Sequence, residues 1–437
     1  MSVPPRPGRR PRLAAARGLV IDVEPLRRDR DWRRLWAGQS INVIGNQITR
    51  VALPYQVYVL TGSTLALAAL TTAQLIPLLV FSLGGGAIAD RVDRRRVLLF
   101  TQTGLSLASL VLAILSLQPH PAVPLLFVVA FVASSLSALE WPARSSATPR
   151  LVPKERLRAA IALGQLSFNG GSVLGPVVAG VLIGAVGVSG AFAVDVVTYL
   201  VSLAMILRIS PIPPLAAPAQ SAIAAIRESL RFVRDRRVIL STFAIDLNAM
   251  IFGMPMALFP VLALDVFRTG PVGLGLMIAA PSAGAFLAIV LSGGISRIRR
   301  IGRGIVVAVV AWGAAILLFG LSTFWFPLAL AFLAVAGGAD VISAVLRSSV
   351  VQLEAPDELR GRVSAIHILV VTSGPRLGDL EAALVASAIG AQLSVISGGV
   401  LCLLGVIVVA RLFPELDRHV AGAAGHAVAV PGGASTG

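Results

Sequence analysis

Twelve apolar runs, each long enough to cross a bilayer as a helix, leave this chain few folds to choose from. They fall at 35–60, 65–89, 97–117, 124–142, 159–184, 190–209, 238–264, 272–296, 304–323, 326–350, 363–390 and 392–412. Lipid offers the backbone no hydrogen-bond partner, so a spanning segment must be a helix or part of a closed barrel. A helix needs roughly 20 apolar residues to cross and a barrel strand about 10. Runs of this length predict an all-α membrane protein with twelve transmembrane helices. Composition agrees: 56% of residues are hydrophobic and 13% charged, with mean hydropathy +0.86. Soluble domains carry about 25% charged residues, so a soluble globular chain is excluded, and disorder is confined to the ends.

Several chemistries are missing. One cysteine, Cys402, allows no intrachain disulfide, Cys-rich metal site or Cys-x-x-Cys motif. The single lysine, Lys154, follows Val152-Pro153 and precedes Glu155, so no phosphate-binding loop is present. Neither a Gly-x-Ser-x-Gly elbow nor a His-Glu-x-x-His run occurs. The chain reads as a non-enzyme that uses no cofactor and no metal.

The charges are lopsided, 37 basic against 21 acidic. Thirty-four of the basic residues fall in segments that share a side with the N-terminus; only Arg268 lies opposite, and Arg50 and Arg376 sit inside spans. Cytoplasmic loops collect Lys and Arg. Both termini are therefore expected in the cytoplasm, and the basic excess is a topological signal rather than a mark of nucleic-acid binding. Residues 1–34 form a basic cytoplasmic segment. The first apolar run, which follows them and contains Asn42, Asn46 and Arg50, does not look like a cleaved signal peptide. Residues 210–237 open with Pro211, Pro213, Pro214 and Pro218 and continue as a basic amphipathic stretch. This reads as a linker with a helix on the inner membrane surface, or as a solvated loop. Residues 413–437 form an Ala/Gly-rich tail, expected to be disordered.

The linker separates two related halves, 35–209 and 238–412. Thr61-Gly62 recurs as Thr269-Gly270, and Gly85-Gly86 as Gly293-Gly294. Arg144-Ser145-Ser146 recurs as Arg347-Ser348-Ser349, and Gly171, Leu174 and Gly175 as Gly374, Leu377 and Gly378. Six spans in each half give parallel repeats, an arrangement that places a substrate path at their interface.

The loop after span two reads Gly86-Ala-Ile-Ala-Asp90-Arg91-Val-Asp93-Arg94-Arg95-Arg96. It resembles the Gly-x-x-x-Asp-Arg-x-Gly-Arg-Arg signature of the major facilitator superfamily, with Asp93 in place of the usual Gly. The second-half copy, Gly294-Ile-Ser-Arg297, has lost the Asp. Span five carries Gly171, Gly175, Pro176 and Gly180, similar to the Gly-Pro motif of that superfamily's proton-coupled exporters. Thr148-Pro149-Arg150-Leu151-Val152-Pro153 and the run Ala355 to Val363 resemble the subgroup that holds siderophore (enterobactin) exporters and macrolide efflux proteins. The resemblance covers residues 31–412. It implies a 6+6 pseudo-symmetric fold, with spans one, four, seven and ten around a central cavity. It also implies a cytoplasmic latch in which Asp90 faces the start of span eleven and Arg94 pairs with Glu140, holding the outward-open state. A plain positive anchor is the alternative.

Polar groups inside spans are costly and mark functional positions by default. Gln39, Asn42, Asn46 and Arg50 recur at helical spacing and form one stripe on span one. Asp246 and Asn248 lie in span seven, Asp340 in span ten, and Arg376 with Asp379 on one face of span eleven. Asp246 and Asp340 are the candidate proton carriers, with Arg50 as tuner or substrate anchor. Gln39, Asn42, Asn46, Arg50, Asn248, Arg376 and Asp379 are the candidate cavity residues. A static ion-pair network is the competing explanation. In span five Pro176 is expected to bend the helix and shape the path, with simple packing of the small residues as the alternative. The expected function is proton-coupled export of a small organic molecule, siderophore-like or a lipophilic drug, across a bacterial plasma membrane. The expected partners are that substrate, protons and the lipid bilayer, and a monomer suffices. A nutrient importer of the same fold and a non-transporting membrane scaffold or sensor are the alternatives.

Overall fold

The computed structural model describes residues 22–214, 231, 233–291, 300–355 and 357–418; at 82–91, 357–362, 364–365, 367–369 and 417–418 it describes the backbone alone. The linker stretch 215–230, the tail beyond 418 and the second signature copy at Gly294 lie outside these residues, as does the side chain of Asp90.

The described residues are helical and contain no strand. Span one is Arg30–Thr61, span two Thr64–Arg91, span three Arg94–Leu115 and span four Val123–Leu151. Spans five and six share one stretch, Leu157–Ile206. Its one residue with non-helical dihedrals is Gly187 (φ 74°, ψ 178°), where the chain reverses between the two spans. A left-handed φ of this kind favours glycine because it has no Cβ. Pro176 does not break the helix.

Span seven starts as Arg237–Phe252 and is interrupted. Pro255 has no N–H to continue the ladder, and its ring disfavours helical dihedrals at Met254. The chain crosses the gap through a tight turn at Met256–Leu258 and a wide turn at Leu262–Val266. The sequence had read 238–264 as one unbroken span. Span eight is Gly270–Val290, nine Ile301–Leu321, ten Phe326–Glu354, eleven Asp357–Ile389 and twelve Ala391–Leu412.

Nine stretches among the described residues are long and apolar enough to cross a membrane, and one of them, Leu157–Leu207, holds two spans. Spans one and eleven are as long but more polar. Together these helices accommodate the twelve runs. Their outer surface is apolar: Phe100, Leu107, Val128, Leu174, Val197, Leu287 and Leu404 are all more than half exposed, as suits side chains that meet lipid tails.

Buried contacts show where the two sets of spans meet. The largest apolar cluster takes residues from both sets, including Val57 and Leu67 from the first and Leu262, Leu274 and Phe319 from the second. These lie toward the end of the bundle opposite the termini, here called the far end. The other clusters draw on one set only. Among the described residues, then, the core seals the far end across both sets, and no buried apolar cluster joins them at the terminal end. The seal includes Gly180 of span five, whose Cβ position is filled by the backbone of Pro271 and Val272, and Gly275 of span eight, set against the backbone of Pro176. Small residues let such helices touch backbone to backbone.

The terminal end is tied within the first set. Asp93, where the resembling signature has Gly, caps span three by accepting from Arg95 N (2.8 Å) and also accepts from Ile212 N (3.2 Å). Arg95 donates to the carbonyls of Ile206 and Leu207, and Arg34 to that of Arg208. The start of the linker is thus held against the loop between spans two and three.

Candidate functional site

Two polar clusters stand out inside the bundle. The first lies between the two sets of spans, beneath the far-end seal. Arg50, Pro54 and Gln74 line it from the first set, and Met256, Pro260, Arg376 and Asp379 from the second. Span one delivers Arg50 because Asn46 and Arg50 are one turn apart on the same face, and both are exposed. Arg50 has no hydrogen-bond or ion-pair partner among the described residues. Arg376 donates from Nη1 to Gln74 Oε1 at 2.6 Å, a bond between the two sets. Asp379 is buried and accepts from Ala257 N at 2.7 Å. That N–H is one freed by the break in span seven, so Asp379 replaces a missing rung of the helix. No ion pair forms between Asp379 and either arginine within 4.0 Å among the described residues. The static Arg376–Asp379 pair weighed from the sequence is therefore absent.

Over this pocket the two sets also meet through Tyr58, at the far end of span one, whose hydroxyl donates to Asp265 Oδ2 at the far end of span seven.

The second cluster lies within the second set, nearer the terminal end. Arg347 of span ten is 1% exposed and stands 2.5 Å from Asp246 of span seven, which is fully buried at 0%. The same guanidinium is 3.8 Å from Asp340, two turns earlier on span ten, whose side chain is 31% exposed. Neither Asp246 oxygen finds a hydrogen-bond donor of good geometry, nor do Arg347 Nε and Nη1 find an acceptor. The group is held by charge more than by directional bonds. One cation thus serves two carboxylates, one sealed and one partly exposed.

The first set has a counterpart. Arg144, which the repeat aligns with Arg347, pairs with Glu140 one turn earlier, and Gln102 Nε2 donates to Glu140 Oε1 at 2.9 Å. The repeat carries Ser343 at the position of Glu140, so the second set draws its acids from elsewhere.

Several expectations need correction. Arg94 does not hold Glu140: its guanidinium donates to Ser146 Oγ (3.0 Å) and the Pro213 carbonyl (3.2 Å), while Glu140 is occupied by Arg144 and Gln102. Asn248 faces away from the cavity. Two residues from Asp246 is about 200° around a helix, and Asn248 donates to the Cys402 carbonyl at 2.9 Å, packing span seven on span twelve. The span-one stripe divides: Asn46 and Arg50 are exposed, Gln39 is half-buried, and Asn42 is buried with no partner on its Oδ1. In span five, Gly171 and Gly175 pack on Val43 and Gln47 of span one, and Pro176 and Gly180 meet span eight. Arg144 and Arg347, counted in the sequence as loop charges, lie inside spans four and ten. Their signal was an acid four (Glu140) or seven (Asp340) residues earlier on the same helix face, together with their recurrence in the repeat.

The comparisons agree with this architecture. Residues 22–426 match the family described as transmembrane secretion effector. The chain is 24% identical over 393 residues to the enterobactin exporter EntS of Citrobacter koseri, covering 90% of this chain and 93% of that one. It is 25% identical over 408 residues to EntS of Shigella boydii serotype 18, covering 92% and 97%. Among solved structures, the peptide transporter PepTSo superposes with a TM-score of 0.70 at 15% identity, covering 90% of this chain and 99% of that one. A bacterial homolog of the human lysosomal transporter Spinster, inward-facing and unoccupied, gives 0.69 at 13% identity, covering 89% and 98%. A twelve-span-compatible helical bundle, a polar pocket between its two sets of spans and a family match over nearly the whole chain lead to one assignment: this protein belongs to the transmembrane secretion effector family of major facilitator transporters.

Proposed function

We propose that this protein is a proton-driven exporter of a small organic molecule, working by alternating access between two six-span halves (35–209 and 238–412) in a bacterial cell membrane with both termini cytoplasmic. Arg347 shared between a sealed and a partly exposed carboxylate is the observation that carries the reading. Charge balance around Arg347 is met when one of Asp246 and Asp340 is protonated. Asp340, at 31% exposure, is the less buried of the two and takes the role of proton carrier. In this far-end-closed arrangement it exchanges its proton with the cytoplasm while substrate enters from the same side. Asp246 stays paired with Arg347 and fixes the guanidinium. Arg50 then belongs to substrate binding rather than to proton transfer, since it lies in the other cluster. The far-end seal carries Tyr58–Asp265 and the span five–span eight contact. It opens when the halves rock. The enterobactin exporters among its relatives favour a siderophore-like substrate over a lipophilic drug.

The test uses everted membrane vesicles with an acid lumen and labelled enterobactin. Wild type is expected to accumulate label only with the gradient. Asp340→Asn is expected to lose gradient-driven accumulation but keep exchange of label across the membrane at equal pH. Accumulation by Asp340→Asn equal to wild type removes that residue from coupling. Accumulation that appears only in right-side-out vesicles makes the protein an importer.

A further inference from the structure

We infer that the pocket between the two sets of spans is a binding site for one anionic group carried on an apolar body, a carboxylate or a phenolate, with Arg50 and Arg376 as its two ligands. This rests on the transporter reading and names the chemical class of its substrate. The pocket holds two guanidinium groups and one carboxylate. The carboxylate is already engaged, with Asp379 Oδ1 on Ala257 N at 2.7 Å. Arg376 is held by a neutral group, Gln74 Oε1, at 2.6 Å. Arg50 has no partner among the described residues and is exposed to the pocket. A net positive charge therefore remains in a pocket otherwise walled by Val51, Pro54, Leu67, Leu70, Met256 and Ile278. Guanidinium binds planar anions through two parallel hydrogen bonds, and low-dielectric walls concentrate the field of the unpaired charge.

The two arginines come from different sets of spans, Arg50 from span one and Arg376 from span eleven. An anion between them ties the sets together, and an empty pocket leaves like charges facing each other. Occupancy thus favours the closed pocket, which couples loading to the movement of the halves.

The experiment compares two probes of one shape on purified protein in nanodiscs of phosphatidylcholine alone, so that no lipid anion competes: labelled 1-naphthoate and its neutral amide. Wild type is expected to bind the naphthoate about ten- to one-hundred-fold more tightly than the amide, the effect of a hydrogen bond to a charged group. Arg50→Gln and Arg376→Gln are each expected to abolish that preference. Arg50→Lys keeps the charge and is expected to keep part of it, which separates lost charge from lost fold. Arg237→Gln breaks only an exposed ion pair to Glu415 at the terminal end and is expected to bind both probes as wild type does. Equal affinity for the two probes in wild type, no saturable binding of naphthoate, or an unchanged preference in both Gln variants overturns the assignment. Failure of gradient-driven transport with the preference intact counts against proton coupling and leaves the anion site standing. Added phosphatidylglycerol that displaces naphthoate makes the pocket's anion a lipid headgroup, and that outcome also overturns the substrate assignment.

Discussion

Replacing Arg347 with Met tests the buried charge cluster most directly. Asp246 is at 0% exposure and Arg347 at 1%, with 2.5 Å between them. Removing the guanidinium leaves a carboxylate with no water, no cation and no hydrogen-bond donor, since neither Asp246 oxygen has one. Breaking a buried pair from one side costs about 3–5 kcal/mol, or roughly two to nearly four powers of ten in the folding equilibrium. Asp340 softens this little: at 3.8 Å from Arg347 and 31% exposed, it behaves as a partly solvated charge, and such pairs contribute about 0–1 kcal/mol. The double change Arg347→Met with Asp246→Leu replaces the pair by apolar side chains of similar size, which often restores stability. Thermal unfolding of the purified protein in detergent, followed by tryptophan fluorescence, is expected to rank wild type, Asp340→Asn and the double variant together. Arg347→Met is expected to melt well below them. The double variant, though stable, is expected to lose gradient-driven accumulation in vesicles. An Arg347→Met protein that melts with wild type, or a double variant no more stable than the single one, refutes the claim that charge pairing holds this cluster.

Other outcomes follow from single contacts. Tyr58→Phe removes the hydrogen bond to Asp265 across the far end, worth about 1.5–3 kcal/mol for a charged acceptor. A Thr71→Cys reporter in the pocket should then react several-fold faster with a membrane-impermeant maleimide applied outside the cell; Cys402 is buried and silent. Gly275→Val forces a side chain into the backbone of Pro176 and should separate spans five and eight at a cost of about 1–3 kcal/mol. The same maleimide assay reads this, and an unchanged rate speaks against a seal at that crossing. Asp93→Ala removes a helix cap, about 1 kcal/mol, and the bond to Ile212 N. It should expose the chain after Arg208 to trypsin faster than in wild type, and Asp93→Asn should restore most of the protection.

Much of the fold was legible because lipid imposes a length rule that sequence displays openly. The helical membrane class, the outward apolar surface and the close approach of span five through its glycines follow from residue type and spacing. Site membership was legible only in part. Arg50, Asn46, Arg376 and Asp379 declared themselves as polar residues inside apolar runs, and the structure brings Arg50, Arg376 and Asp379 to one pocket. Arg347 did not, because it sits four residues from a basic loop and looks like a topological charge. Asn248 misled for the opposite reason: an amide in an apolar run marks a cavity or a helix contact equally well, and only the partner helix decides which.

By itself, the sequence determined that the chain is a helical membrane protein with a repeated half, because hydropathy and repeat offsets are properties of one dimension. Tertiary structure alone decided which charges meet. Asp246 and Arg347 are 101 positions apart, Gln74 and Arg376 are 302, and no local spacing rule reaches across such distances. It also decided which of two carboxylates is sealed and which is partly exposed, since exposure depends on the helices that happen to lie alongside.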